Sequence, residues 1–151
     1  MTKVLEGAEL ARNLSERHPD AVESWGDSDL WVKPDTIVDV VSFLKDESGL
    51  QLNYLNSISA VDYVEYFDVV YHLTSLLHNH GAVIKARVYG REEPTIPSVT
   101  TVWQGADFQE REIWDLMGLR FSGHHNLKRL MLWEGFQGHP LRKDFKDTVE
   151  Y

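Results

Sequence analysis

Apolar residues recur at helical spacing near the start of the chain and again near residue 40, and they alternate with polar ones through its middle. Leu5, Ala8, Leu10, Ala11 and Leu14 form one stripe, which predicts a helix over 5–17 closed by His18-Pro19-Asp20. Ile37, Val40, Val41 and Leu44 form a second stripe; Pro34-Asp35-Thr36 opens that helix and Gly49 is its stop signal. Between the two, residues 21–25 and 30–33 read as short strands around the turn-rich Gly26-Asp27-Ser28-Asp29.

The middle is strand territory. It begins at 51–61, and over 67–76 Phe67, Val69, Tyr71 and Leu73 fall on one face while Asp68, Val70, His72 and Thr74 fall on the other. Residues 81–89 alternate again, with Ile84, Ala86 and Val88 opposed to Lys85, Arg87 and Tyr89. Such strands bury one face on helices and leave the other for solvent or a partner, and Asn79-His80-Gly81 suits the hairpin turn between them. Residues 92–97 read as a proline-stiffened link and 98–103 as a short extended segment. A third helix is predicted over 106–117, closed by Gly118, with 119–121 extended. From Gly123 onward no period is sustained.

The element order α-β-β-α-β-β-β-α predicts a two-layer α+β domain, with helices on a mostly antiparallel, possibly mixed, sheet. The domain is expected over 1–122, and an irregular C-terminal docking arm of the same unit over 123–151.

Composition sharpens this picture in three ways. The chain has 151 residues, room for one domain with a core of its own. It has no cysteine, which rules out disulfides, zinc thiolates and iron–sulfur ligation of the usual kind. No stretch approaches the roughly 18–20 apolar residues of a membrane-spanning helix, and the first residues have no apolar signal core, so the expectation is a soluble cytoplasmic protein that meets a membrane only through partners. The net charge of −9 disfavours nucleic-acid binding. That charge is unevenly spread: Arg120, Lys128, Arg129, Arg142, Lys143 and Lys146 face only Glu134 and Asp144 between positions 120 and 146, leaving +4 there and −13 elsewhere. An acidic body with a basic irregular tail suits docking.

Two segments carry the densest chemistry. In the first, Glu110-Arg111-Glu112-Ile113-Trp114-Asp115-Leu116-Met117-Gly118, helical spacing allows Arg111 to pair with Asp115 and sets Glu112 three residues from Asp115. Two carboxylates could perform acid–base hydrolysis; a charge network that positions the following arm is the simpler reading. Leu119-Arg120-Phe121-Ser122-Gly123-His124-His125-Asn126-Leu127-Lys128-Arg129 continues the segment. The second is Gly135-Phe136-Gln137-Gly138-His139-Pro140-Leu141-Arg142-Lys143-Asp144-Phe145, in which Arg and Lys offer donors to carboxylates or carbonyls. His78, His80, His124, His125 and His139 could ligate a metal only if three or four converged; ordinary hydrogen-bonding roles fit them better.

Together these segments resemble the C-subunit family of bacterial NADH:quinone oxidoreductase, respiratory complex I. Glu110, Arg111, Glu112, Asp115, Gly118, Phe121, Gly123, His124, Leu127 and Arg129 match its first motif, and Gly138, His139, Pro140, Leu141, Arg142, Lys143, Asp144 and Phe145 its second. Asp62-Tyr63, the strand around Val69–Leu73, Ser98-Val99-Thr100 and Trp103 also look like the family. One position departs: the family's proline after the first Gly-His is His125 here, which removes a fixed φ from that turn.

The resemblance implies a scaffold subunit of the hydrophilic arm on the cytoplasmic side of the membrane, without catalytic residues. It implies no cofactor in this chain; NADH, flavin, iron–sulfur clusters and quinone belong to the whole complex. Implied partners are the D-like subunit at the quinone site and the B-like and I-like subunits that carry iron–sulfur clusters. The equivalent subunit of an energy-converting membrane hydrogenase, or of a ferredoxin- or deazaflavin-linked dehydrogenase, fits the same motifs. A free-standing carboxylate hydrolase is the alternative of another class.

Overall fold

The computed structural model describes residues 2–146. Its elements in chain order are β1 (Lys3–Val4), α1 (Gly7–Arg17), β2 (Val22–Trp25), β3 (Leu30–Val32), a 3-10 turn (Pro34–Thr36), α2 (Ile37–Asp46), β4 (Tyr54–Asp62), β5 (Tyr66–Ser75), β6 (His80–Tyr89), β7 (Thr95–Pro97), α3 (Ala106–Met117) and β8 (Arg120–Ser122). The helical stripes are buried with one exception: Leu10, Ala11 and Leu14 of α1 and Ile37, Val40, Val41 and Leu44 of α2 lie inside, Leu5 is buried just ahead of α1, and Ala8, expected on the same stripe, is exposed. Helix α1 opens on Gly7, where any side chain would collide with the carbonyl oxygens of Gly26 and Asp29 in the β2–β3 turn. Helix α2 ends at Asp46, before the expected stop at Gly49.

The main sheet runs β2-β3-β6-β5-β4, with β1 also on β6. Strands β4, β5 and β6 are antiparallel, with Val69 opposite Ala86 and Ala60. Strands β1 and β3 both join the other edge of β6 in parallel, at His80–Gly81 and at Ile84–Ala86. The sheet is therefore mixed. On β5 and β6 Phe67, Val69, Tyr71, Leu73, Ile84, Ala86 and Val88 share one core with α1, α2 and α3, while Val70, His72, Lys85, Arg87 and Tyr89 on the other face are less buried; Asp68, expected on that outer face, is buried beside Arg87 at 3.4 Å.

Four expectations change. The β5–β6 turn occupies residues 76–79, and His80 and Gly81 already belong to β6. The link at 92–97 contains a strand, β7, which pairs in parallel with β8. Residues 98–103 turn instead of extending, because the backbone N–H groups of Val102 and Trp103 both donate to Val99 O. Strand β1 escaped notice, since two residues carry no alternation to read. Among the described residues nothing after Ser122 is helix or strand.

Candidate functional site: a buried charged hub beneath the C-terminal segment

Helix α3 buries three charged side chains, Glu110, Arg111 and Asp115. Buried charges persist only when their hydrogen-bonding capacity is filled, so their partners define what the helix does. Asp115, with no exposed surface, receives the backbone N–H groups of Leu130, Met131 and Leu132 on Oδ2 at 3.1, 2.6 and 2.9 Å. Its Oδ1 accepts from Arg129 Nη1 at 2.9 Å. Arg129 also donates to Asp115 O, Phe136 O and Gly138 O. Arg111 donates to the carbonyls of Lys128 and Arg129.

The expected Arg111–Asp115 pair does not form. Each side chain turns away from its own helix to hold the following segment, the guanidinium by carbonyls and the carboxylate by N–H groups. Glu112 is exposed whereas Asp115 is buried, so the two do not converge as a catalytic dyad. Burial pushes the Asp115 carboxyl up, but the three N–H groups and Arg129 outweigh it and hold it below the usual carboxylate range. A carboxylate saturated with donors is a poor proton acceptor.

The helix ends at Gly118, whose φ of +74° favours glycine. The His139 ring lies directly against it, 2.7 Å from where a Cβ would stand. His139 Nδ1 is 2.9 Å from Asp115 O and its ring sits 4.7 Å from Trp114. Burial, first among the causes, lowers the His139 pKa. Leu141, exposed by its side chain, donates its N–H to Leu116 O. Glycine again serves at Gly138, where φ is +85° and the Phe145 ring fills the space beside it.

A second carboxylate closes the far end of the segment. Asp62, buried at the end of β4, takes Arg91 in a two-point pair at 2.6 and 2.9 Å and the N–H of Lys143 at 2.9 Å. The Arg91 hydrogen bond is the main reason its pKa falls to about 2. Arg91 also meets Asp144 at 3.1 Å, and Arg142 binds both Asp144 and the carbonyl of Arg91. Arg142, chiefly, holds the Asp144 carboxyl far below the usual range. Composition leaves the C-terminal segment unattached to its domain; the structure ties it down at two carboxylates.

Glu110 serves another loop. Its carboxyl accepts from Ser98 Oγ at 2.5 Å and Val99 N at 2.9 Å, and burial raises its pKa to about 7. Of the other motif residues, Phe121 is buried in β8, and Leu127 packs on the core. Gly123 supplies a φ of +81°, and Pro140 is half-buried. His124 and His125 stack at 5.1 Å over Asp107, their Nε2 atoms 2.8 and 3.6 Å from its carboxylate oxygens. His78 and His80 stack at 5.4 Å elsewhere. No group of three or more His, Asp or Glu among the described residues is placed to hold a metal ion. No helix among them is long and apolar enough to cross a membrane.

Arg91 was not singled out from the sequence, and Asp62 and Ser98 only as family likenesses. The charged partners that tie them lie 12 to 81 positions away, which no local spacing announces.

The sequence profile of "Respiratory-chain NADH dehydrogenase, 30 Kd subunit" matches residues 30–150. The C subunit of the NADH-quinone oxidoreductase of Roseiflexus sp. (strain RS-1) is 40% identical over 147 residues, 93% of this chain and 84% of the relative. Its counterpart, also a C subunit of this enzyme, from Jannaschia sp. (strain CCS1) is 43% identical over 148 residues, 93% of this chain and 70% of that one. A chain in the solved structure of the membrane-bound sulfane sulfur reductase, an archaeal respiratory membrane complex, superposes with a TM-score of 0.73 at 26% identity, covering 93% of this chain and 85% of its own. The motifs, the mixed sheet with its three helices and these matches converge on one assignment: the chain belongs to the family of the 30 Kd subunit of respiratory-chain NADH dehydrogenase.

Proposed function

We propose that this chain is a scaffold subunit of an NADH:quinone oxidoreductase, which carries no redox centre of its own and fixes the spacing of neighbouring subunits. The observation that carries the reading is the use made of the charged motif: Asp115, Arg111 and Arg129 all serve to shape the segment after β8. Asp115 is saturated with donors and Glu112 stands exposed apart from it, so these two do not form a catalytic pair. A hub of this kind sets the path of a segment that would otherwise lose roughly 1–2 kcal/mol of backbone entropy per residue on ordering. It then displays Met131, Trp133 and Leu141, all largely exposed, as anchors for other chains.

On this reading residues 123–151, of which 147–151 lie outside the described residues, form a docking arm on the 1–122 domain. The arm meets the quinone-site and iron–sulfur subunits of the hydrophilic arm, on the cytoplasmic side of the membrane. The motif residues then act as interface and positioning groups, none of them catalytic. The archaeal sulfane sulfur reductase chain supports a second reading, the equivalent place in another membrane-bound respiratory complex. The higher identity to the quinone-enzyme relatives favours the first.

The test is a deletion of residues 135–151 in cells that make the whole complex. The α+β domain should stay folded while the chain disappears from the purified complex and NADH:quinone activity falls with it. Normal incorporation of the shortened chain would overturn the docking role. NADH oxidation by the isolated full chain would overturn the scaffold role.

A further inference from the structure

Of the three charged side chains that α3 buries, Glu110 alone takes no part in holding the C-terminal segment. It has no exposed surface, and among the described residues no cation pairs with it. A buried carboxylate without a counter-ion is costly, so the groups around it decide its form. On α3, Asp107 one turn earlier adds a like charge, with His124 and His125 against its carboxylate. Arg111 is turned to the carbonyls of Lys128 and Arg129. From β5 comes Tyr71, wholly buried, its hydroxyl without a hydrogen-bond partner; burial, and then the Glu110 charge, push its pKa well above the usual range. Lys45 of α2 reaches the same loop as Glu110 but donates to Val102 O at 3.0 Å. Arg120 of β8 is exposed, over the Trp114 ring. Burial therefore favours the neutral acid, and the Glu110 carboxyl, raised to about 7, changes charge close to neutrality.

A buried acid changes charge only if a proton can reach it. Here a line of hydroxyls leads to the surface. Glu110 Oε1 lies 2.5 Å from Ser98 Oγ, and Ser98 Oγ lies 2.8 Å from Thr100 Oγ1. Thr100 is half-buried and lines a surface cleft of about 490 Å³ together with Gln104, Asp107 and His125. The line is held in place by the backbone. The N–H of Val99 donates to Glu110 Oε2 at 2.9 Å, that of Thr100 to Ser98 Oγ, and that of Ser98 to Ser122 O. Each hydroxyl both donates and accepts, so its hydrogen can point either way along the line.

We propose that Glu110 is a proton-exchange site, loaded and unloaded from the cleft through the Thr100 and Ser98 hydroxyls. With the carboxylate ionised, Thr100 donates to Ser98 and Ser98 donates to Oε1. A proton from solvent adds to Thr100 Oγ1, the Thr100 hydrogen passes to Ser98, and the Ser98 hydrogen passes to Glu110 Oε1. Each hydroxyl keeps one hydrogen, the carboxylate becomes a neutral acid, and both bonds along the line now point toward the cleft. Unloading reverses the sequence. Val99 N–H stays bonded to Oε2 in both forms, so the exchange needs no opening of the loop.

The test follows Glu110 in the full-length chain by infrared spectroscopy. A carboxylic-acid C=O band should be lost between about pH 5 and 8, and it should be missing in Glu110→Gln. Thr100→Val keeps nearly the same side-chain shape and removes the outer hydroxyl. It should leave the titration midpoint within about half a pH unit, yet slow loss of the band after a pH jump by about tenfold or more. Ser98→Ala removes a hydrogen bond from the carboxyl itself, so it should shift the band and raise the midpoint; that shift assigns the band if Glu110→Gln does not fold. Absence of any Glu110 band that is lost over this range overturns the site. A Thr100→Val rate within about twofold of wild type overturns the path, and is what a carboxylate that merely ties the loop predicts.

Discussion

Asp115→Asn removes one charge and changes almost no volume, so its effect isolates what the carboxylate does. The carboxylate serves four donors: three consecutive N–H groups and the Arg129 guanidinium. An asparagine offers one oxygen and turns an N–H₂ toward donors on its other side. If the oxygen stays on the three N–H groups, the N–H₂ is set against the Arg129 guanidinium, donor facing donor; if the amide turns round, all three N–H groups lose their acceptor, at about 1–3 kcal/mol each. Breaking a buried ion pair from one side costs about 3–5 kcal/mol in all.

The domain need not absorb that cost, because the segment after Arg129 can lift away while the sheet stays folded. The loss should therefore appear locally. Hydrogen exchange at Leu130, Met131 and Leu132 should accelerate by about two to three orders of magnitude, at about 1.4 kcal/mol per tenfold, while the β5 and β6 amides change far less. Exchange at 130–132 within threefold of wild type would refute the claim that Asp115 organises this segment.

Arg91→Ala should free the far end in the same way, leaving Asp62 buried and short of its main partner; faster exchange at Lys143 with unchanged protection at 130–132 would show that the two ties act independently. In the wild-type chain Asp62, with its pKa depressed to about 2, contributes stability that is present above the usual carboxylate range and lost as pH falls from about 4 toward 2, so Asp62→Asn should flatten a Tm-versus-pH curve in that window. Glu110 has the opposite sign: its pKa is raised to about 7, so its contribution is full below about 4.5 and is lost as pH rises through 7. Glu110→Gln should therefore gain on wild type between about pH 5 and 8, by up to about 3 kcal/mol at about 1.36 kcal/mol per pKa unit; parallel Tm curves would contradict a burial-raised pKa. Gly118→Ala must accept a φ of +74° and push the His139 ring aside, for a loss of about 1–3 kcal/mol in a denaturation midpoint, with a near-zero change showing that helix end to be free to move.

What could be read from the chain by itself is what repeats at short range. The stripes of α1 and α2, the alternation of β5 and β6, and the glycine end of α3 depend on residues two to four apart, and their apolar faces came through except at Ala8, which is exposed, while Asp68 on the outer face of β5 is buried. The family could be read because its motifs are continuous in sequence. What only the tertiary structure decided is what joins distant residues. Strands β1, β3 and β7 take parallel partners from far along the chain, and two- or three-residue strands show no period by which to foresee it. The reading of Arg111 and Asp115 as partners followed helical spacing, and it failed because a loop supplied better-placed carbonyls and N–H groups than the neighbouring turn. Asp62 became the second tie because β4 ends where Arg91 and Lys143 arrive, 29 and 81 positions later. Local periodicity encodes which face of an element is buried; which buried charge meets which backbone group depends on how those elements pack.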